Sequence, residues 1–97
     1  MFEVIYMKAE FEPWWMFDGW EESILSSHSF DDVMNAREYM ENLFQELRTK
    51  YENEKMKDQC FYAFWSAEER QFCEACDDDL QIFHGVILLF EGKPYSV

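Results

Sequence analysis

The sequence predicts a small α+β domain, with a sheet of three to four strands, one long amphipathic helix and one short helix. Apolar segments with the character of strands lie near the two ends, at residues 1–9 and 82–90. Between them, residues 33–51 carry apolar side chains at helical spacing. The chain has 97 residues, about the size of one domain, so we predict a single domain over residues 1–97.

The first 22 residues divide into a strand and a loop. Residues 1–9 alternate loosely and are rich in Phe, Val, Ile and Tyr, which predicts a strand. Residues 11–22 follow neither a period of two nor one of 3.6, and Pro13 and Gly19 interrupt them. We therefore predict a structured loop with room for one helical turn.

The long helix has the clearest pattern. Ser29 is a suitable N-cap, and Asp32 three residues later completes a weak capping box. The apolar positions that then recur at helical spacing are Val33, Ala36, Met40, Leu43, Phe44, Leu47 and Tyr51. Polar and acidic residues lie mostly on the other side, so we expect this amphipathic helix to cover the sheet.

The second half of the chain predicts a strand followed by the short helix. Residues 60–65 are apolar on both faces, as in a buried strand. Ser66 can cap a short helix that runs from Ala67 to about Cys76, with Glu69 at the capping-box position.

The chain is predicted to end in a hairpin. Residues 82–90 are apolar on both faces, which predicts a central strand covered on both sides. Glu91 and Gly92 indicate a tight turn, and residues 94–97 can return as a short edge strand.

The charge of the chain disfavours several classes of partner. It has 21 acidic and 8 basic residues, a formal net charge of -13. Nucleic acid and anionic lipid are bound through Lys and Arg, so both are disfavoured and a basic protein is favoured. No apolar run approaches the roughly 20 residues of a membrane span, and residues 1–8 lack the pattern of a signal peptide. Three cysteines make a poor disulfide framework, so we expect a cytoplasmic location.

Aromatic residues make up 20% of the chain, more than a core of this size needs. Trp14, Trp15, Phe17 and Trp20 cluster in the predicted loop. They can pack a second small core, but adjacent Trp14 and Trp15 cannot easily point the same way, so one ring should stay partly exposed. Tryptophan is frequent at interface hot spots, and acidic neighbours complement a basic partner. The acidic neighbours here are Glu10, Glu12, Asp18, Glu21 and Glu22.

Cys73 and Cys76 form a CxxC pair near the C-terminal end of the predicted short helix. That position, and the aspartates that follow, should raise the pKa of both thiols, so redox activity is less favoured than packing. A zinc site needs four ligands, and Cys60 together with His84 or His28 could complete one.

Asp77, Asp78 and Asp79 follow the CxxC pair. Acidic groups at the C-terminal end of a helix are electrostatically unfavourable, which points to a cationic partner at this position. The other interpretation is a solvated turn. His84 lies in an apolar strand and is expected in the core, hydrogen-bonded to backbone. No catalytic motif appears, and we assign no catalytic residue.

Four strings of residues resemble a family of short acidic bacterial proteins known as domain of unknown function 1033. They are Glu12-Pro13-Trp14-Trp15, Trp20-Glu21-Glu22, Phe61–Trp65 and Cys73–Gln81. The resemblance spans most of the chain, including the terminal hairpin. It implies a bacterial cytosolic protein and carries over no catalytic residue.

We therefore predict a non-enzymatic interaction module that presents aromatic side chains in an acidic surround to a basic protein. The predicted contact residues are Trp14, Trp15, Trp20, Glu12, Asp18, Glu21, Asp77, Asp78 and Asp79. A more specific hypothesis is that the acidic surface imitates DNA. The alternatives are a metal-binding regulatory domain, with Cys73 and Cys76 as zinc ligands, and a small enzyme. Self-association through the aromatic side chains is also open.

Overall fold

A computed structural model of the chain describes residues 1–75 and 77–96. The strands are β1 (Phe2–Ala9), β2 (Ile24–Phe30), β3 (Asn53–Lys57), β4 (Phe61–Trp65), β5 (Arg70–Cys73), β6 (Asp78–Gln81), β7 (Phe83–Phe90) and β8 (Lys93–Pro94). The α-helix α1 spans Val33–Lys50, and a 3-10 turn spans Trp20–Ser23. No helix in these two ranges is long and apolar enough to cross a membrane.

The main sheet has the order β2-β1-β7-β4-β3, and β8 pairs with the end of β7 on the side of β4. Neighbouring strands run antiparallel. The prediction of a central strand at the end of the chain is confirmed, because β7 lies between β1 and β4 and its residues 84–89 are buried. The α+β class is confirmed as well.

Two apolar clusters lie on opposite faces of this sheet. On the helix face, α1 packs against the strands through Val4, Ala36, Met40, Phe44, Leu47, Phe64, Val86 and Leu88. On the other face, which we call the loop face, the buried residues are Ile5, Met7, Ala9, Cys60, Phe61, Ile87 and Leu89. Residues 10–23, the tryptophan loop, cover this second cluster with Phe11, Trp14 and Trp20.

The long helix begins later than predicted. Asp32 is its N-cap, and the Asp32 carboxylate accepts a hydrogen bond from the backbone N–H of Asn35 at 2.8 Å. Ser29, the predicted cap, instead lies in β2, where it pairs with Glu3 of β1. β2 was not predicted, because it is a largely exposed edge strand whose centre, residues 26–29, is polar and shows no apolar alternation.

The sheet also has more strands than the three to four predicted. Six strands form the main sheet and two form a separate hairpin within the described residues. The unpredicted β3 is an exposed edge strand of polar composition that directly follows the helix. The helix ends because Tyr51 turns to an extended conformation, with φ of -125°.

The short helix predicted from Ala67 to Cys76 is wrong. Its residues 70–73 pair with residues 78–81 as the hairpin β5–β6. Ser66 does not cap a helix: its carbonyl accepts from the Glu69 N–H at 3.0 Å and so closes a turn. The Gln81 side-chain amide donates to the carbonyls of Ser66 and Glu69, at 2.7 and 2.9 Å, and fastens the base of the hairpin. Among the described residues no helix directly precedes the aspartates, so the unfavourable field of a helix C-terminus does not act on them.

Candidate functional site

The tryptophan loop is anchored to the sheet through a buried proline. Pro13 is fully buried and lies directly over Gly85 of β7. A β-carbon at position 85 would lie 2.7 Å from Pro13 Cβ and 2.9 Å from Met7 Cγ, so only glycine permits this approach. Trp14 and Trp20, on either side of the loop, are half-buried against the same cluster.

Backbone hydrogen bonds close the loop into successive turns. The Trp15 N–H donates to the Glu12 carbonyl at 3.2 Å, and the Trp20 N–H donates to the Phe17 carbonyl at 3.0 Å. Gly19 then takes a left-handed conformation, with φ of 84°, at the start of the 3-10 turn. The loop is therefore a structured segment, as the sequence predicted.

Three consecutive apolar side chains of this loop point to solvent. Trp15 is 48% exposed and Phe17 55%, and Met16 between them is exposed as well. We call these three residues the aromatic patch. The Trp15 and Phe17 rings lie nearly parallel, 8° apart, with their centroids 6.1 Å apart. Phe11 packs edge-on against Phe17 at 5.4 Å, which supports the outer ring from below.

Charges of both signs surround the aromatic patch. A carboxylate oxygen of Glu12 accepts from the Trp15 indole N–H at 3.4 Å, and Asp18 and Glu21 are exposed on the same loop. Two lysines that were not predicted for this site also reach the tryptophans. Lys55 and Lys57 occupy alternate positions of β3, so both side chains extend from one side of that strand. Their alternate spacing places both lysines on one side only if the segment is a strand, and β3 was not predicted.

The predicted acidic contact residues fall into two separate places. Glu12, Asp18 and Glu21 belong to the tryptophan loop, as Trp14, Trp15 and Trp20 do. The aspartates lie instead on the hairpin, where Asp78 and Asp79 are exposed in β6 and Asp77 is exposed in the turn before it. The Asp78 carboxylate accepts from the Asp79 N–H at 2.8 Å, a local turn contact.

The zinc hypothesis concerns residues that the structure does not describe, namely Cys76 and the side chain of Cys73. The other proposed ligands lie in different parts of the fold. Cys60 is buried on the loop face, whereas His84 is buried on the other side of β7, and the His28 ring packs on Tyr39 at 4.9 Å. Among the described residues, no group of three His, Cys, Asp or Glu side chains could hold a metal ion.

A comparison with known protein families finds a match over nearly the whole chain. A family model described as Protein of unknown function (DUF1033) matches residues 1–96. The chain belongs to this family. The resemblance noted in the sequence is confirmed, and no curated protein or solved structure matches the chain. For this DUF1033 chain, function therefore has to be argued from its own residues.

A buried polar network on the helix face of the DUF1033 chain was not predicted. His84 is only 4% exposed, and its ring is hydrogen-bonded to two side chains rather than to backbone. The Tyr6 hydroxyl lies 2.7 Å from His84 Nδ1, and a Glu69 carboxylate oxygen lies 2.7 Å from Nε2. Tyr51 stacks on the imidazole at 4.2 Å, and the Lys8 ammonium lies 3.7 Å from the second Glu69 oxygen.

Burial, with smaller contributions from Tyr51 and Glu69, raises the pKa of Tyr6 to about 12. The phenol therefore stays protonated at neutral pH, and it can donate a hydrogen bond to His84 Nδ1 in the tautomer whose Nε2–H donates to the Glu69 carboxylate. Every buried side-chain nitrogen and oxygen in the described part of the chain has a partner. The network thus ties the base of the β5–β6 hairpin, through Glu69, to the centre of the sheet.

We expect Tyr6→Phe to remove a pH-dependent part of the stability. An unfolded tyrosine ionises near pH 10, whereas folded Tyr6 ionises near 12, so between these values the unfolded state binds fewer protons. The contribution of Tyr6 is thus complete below pH 10 and falls as the pH rises to 12. Urea unfolding from pH 8 to 11.5 should show the wild type more stable than Tyr6→Phe, with a gap that narrows above pH 10. A constant gap would contradict the assignment.

Proposed function

We propose that this chain is a protein-interaction module and that the aromatic patch is its contact surface. The observation that carries the proposal is the exposure of Trp15 and Phe17 on a loop held in place by buried Pro13. Exposed apolar side chains that lie next to one another are typical of surfaces that bind other proteins. A loop already closed by hydrogen bonds loses little conformational entropy when a partner binds.

The charge of the chain supports a basic partner. The formal net charge is -13, and Glu12, Asp18 and Glu21 lie on the same loop as the patch. A field of this sign accelerates encounters with a positively charged surface and slows encounters with nucleic acid or acidic proteins. Tryptophan supplies the apolar contact that an acidic surface alone lacks.

Trp15→Ala should release the partner while the protein stays folded. We expect wild-type protein to capture basic proteins from a lysate of the source cells, and Trp15→Ala to lose them. For a captured protein, titration should show affinity reduced by roughly thirtyfold, the loss typical of a hot-spot residue. Leu25→Ala is the matched control, because Leu25 is an apolar residue, 60% exposed, on the edge strand β2. Thermal unfolding checks that both variants fold.

Three results would overturn the proposal. One is recovery of the same proteins by the wild type and by Trp15→Ala. Another is patch-dependent capture of acidic proteins only. The third is a homodimer, detected by sedimentation, that Trp15→Ala dissociates. The finer hypothesis that the acidic surface imitates DNA requires in addition that duplex DNA compete with the chain for its captured partner.

A further inference from the structure

Two lysine ammonium groups lie over the tryptophans of the loop. Lys55 Nζ is 5.6 Å and Lys57 Nζ 5.8 Å from the centroid of the Trp14 ring. Lys57 Nζ is also 5.7 Å from the centroid of Trp15, so one ammonium lies within reach of both rings. These are two of only 8 basic residues in the chain.

The chain has 21 acidic residues that could pair with these lysines. Among the described residues, neither Lys55 nor Lys57 forms an ion pair with a carboxylate. Both ammonium groups instead lie within about 6 Å of the Trp14 ring centroid, although their like charges repel each other. A tryptophan face attracts a cation through its negative quadrupole, and this attraction holds the two lysines there. The tryptophan pair therefore binds a cation already in the free protein.

We propose that Trp14 and Trp15 form a recognition site for an arginine side chain of the partner, and that Lys57 occupies this site in the free protein. The inference rests on the proposed function and names the group of the basic partner that docks. When the partner binds, its guanidinium replaces the Lys57 ammonium, which moves into solvent.

The surroundings of Trp15 favour arginine over lysine. A guanidinium is planar and less strongly hydrated than an ammonium, so it stacks on an indole at a lower cost of desolvation. A carboxylate oxygen of Glu12 lies 3.4 Å from the Trp15 indole nitrogen, at the edge of the ring. A guanidinium stacked on this ring can donate to Glu12 with two N–H groups, whereas an ammonium offers only a point charge.

If Lys57 occupies the site, its removal should raise the affinity for arginine. Lys57→Gln removes the ammonium that lies over Trp15, and with it a like charge, so affinity for an arginine peptide should rise about two- to fivefold, the size expected from an exposed cation–π contact. Lys50→Gln makes the same charge change in the last turn of α1, on the opposite face of the sheet from the tryptophan loop, and measures the general effect of charge. We expect the affinity for the arginine peptide to rise less in this control than in Lys57→Gln.

The probes are three capped peptides that differ only in carrying arginine, lysine or citrulline at the same positions between glycines. Binding is followed by tryptophan fluorescence at low salt. We expect arginine to bind more tightly than lysine and citrulline least. Trp15→Ala should abolish the change, and Glu12→Gln should reduce binding of arginine more than of lysine.

Equal affinity for arginine and lysine, or no binding of any peptide at millimolar concentration, would overturn the inference. A Lys57→Gln variant that binds no better than Lys50→Gln would overturn it too, because the lysine would then not occupy the site. If capture of basic proteins still depends on Trp15 in these cases, the proposed function stands and only the arginine site is lost. If capture does not depend on Trp15, the proposed function itself fails.

Discussion

Gly85→Ala is expected to lower the free energy of unfolding by about 3 kcal/mol, at the upper end of the usual cost of overpacking. The new β-carbon would lie 2.7 Å from Pro13 Cβ and 2.9 Å from Met7 Cγ, closer than carbon atoms approach in proteins. Pro13 is fully buried beneath a loop closed by hydrogen bonds, and its ring cannot rotate away. Urea unfolding of the variant and the wild type measures the difference.

Pro13→Gly provides the test of this mechanism, because it removes the ring that the new methyl group would meet. In that background, Gly85→Ala should cost much less, since only the flexible Met7 side chain then has to move. A double-mutant cycle measures the coupling between positions 13 and 85. An equal cost in both backgrounds would show that the close approach of Pro13 does not decide the effect.

The central strands could be predicted from the sequence because burial leaves an apolar pattern. The segments predicted at residues 1–9, 60–65 and 82–90 are β1, β4 and β7, each within a residue or two of its bounds. The edge strands β2 and β3 could not, because an edge strand that faces solvent carries polar residues with no required period. Their pairing with β1 and β4 depends on contacts that a local pattern does not contain.

The error at Ala67–Cys76 has a different cause. Ser66 and Glu69 match a capping box, a pattern of four residues that indicates a helix only when the following chain can continue it. In the fold, the Glu69 carboxylate instead bonds to His84 at 2.7 Å, and its carbonyl accepts from the Ile82 N–H. These contacts span more than ten residues of sequence and override the local preference of the segment.

The candidate site was predicted in part. Its tryptophans and acidic residues are neighbours in sequence, so their clustering could be read directly. The choice of Trp15 as the exposed ring follows from the anchoring of Pro13 on Gly85, 72 positions further along the chain. The approach of Lys57 follows from the position of β3 in the sheet. The exposure of Trp15 and the approach of Lys57 therefore depend on contacts between segments that are distant in sequence.

Phe64→Ala is expected to lower the free energy of unfolding by about 3–5 kcal/mol, the usual loss when a buried phenylalanine leaves a cavity. Phe64 is 1% exposed in the middle of β4, and its ring lies 5.7 Å from that of Phe44 on α1. Phe72, 57% exposed on the hairpin, is the matched control, and Phe72→Ala should change stability by less than about 0.5 kcal/mol. Urea unfolding of the two variants measures both effects.

Comparable losses of unfolding free energy in Phe64→Ala and Phe72→Ala would contradict the division into buried and exposed aromatic residues. Such a result would mean that the hairpin packs as part of the core, and Phe72 could not then be a solvent-facing side chain. A large loss of stability from Phe64→Ala and a small one from Phe72→Ala would show that the exposed aromatic side chains contribute less to the fold than the buried ones. Phe64 is buried in the core, whereas Trp15 and Phe17 are about half exposed and bury less of their ring area on folding. Trp15→Ala should accordingly affect capture of a partner far more than it affects unfolding.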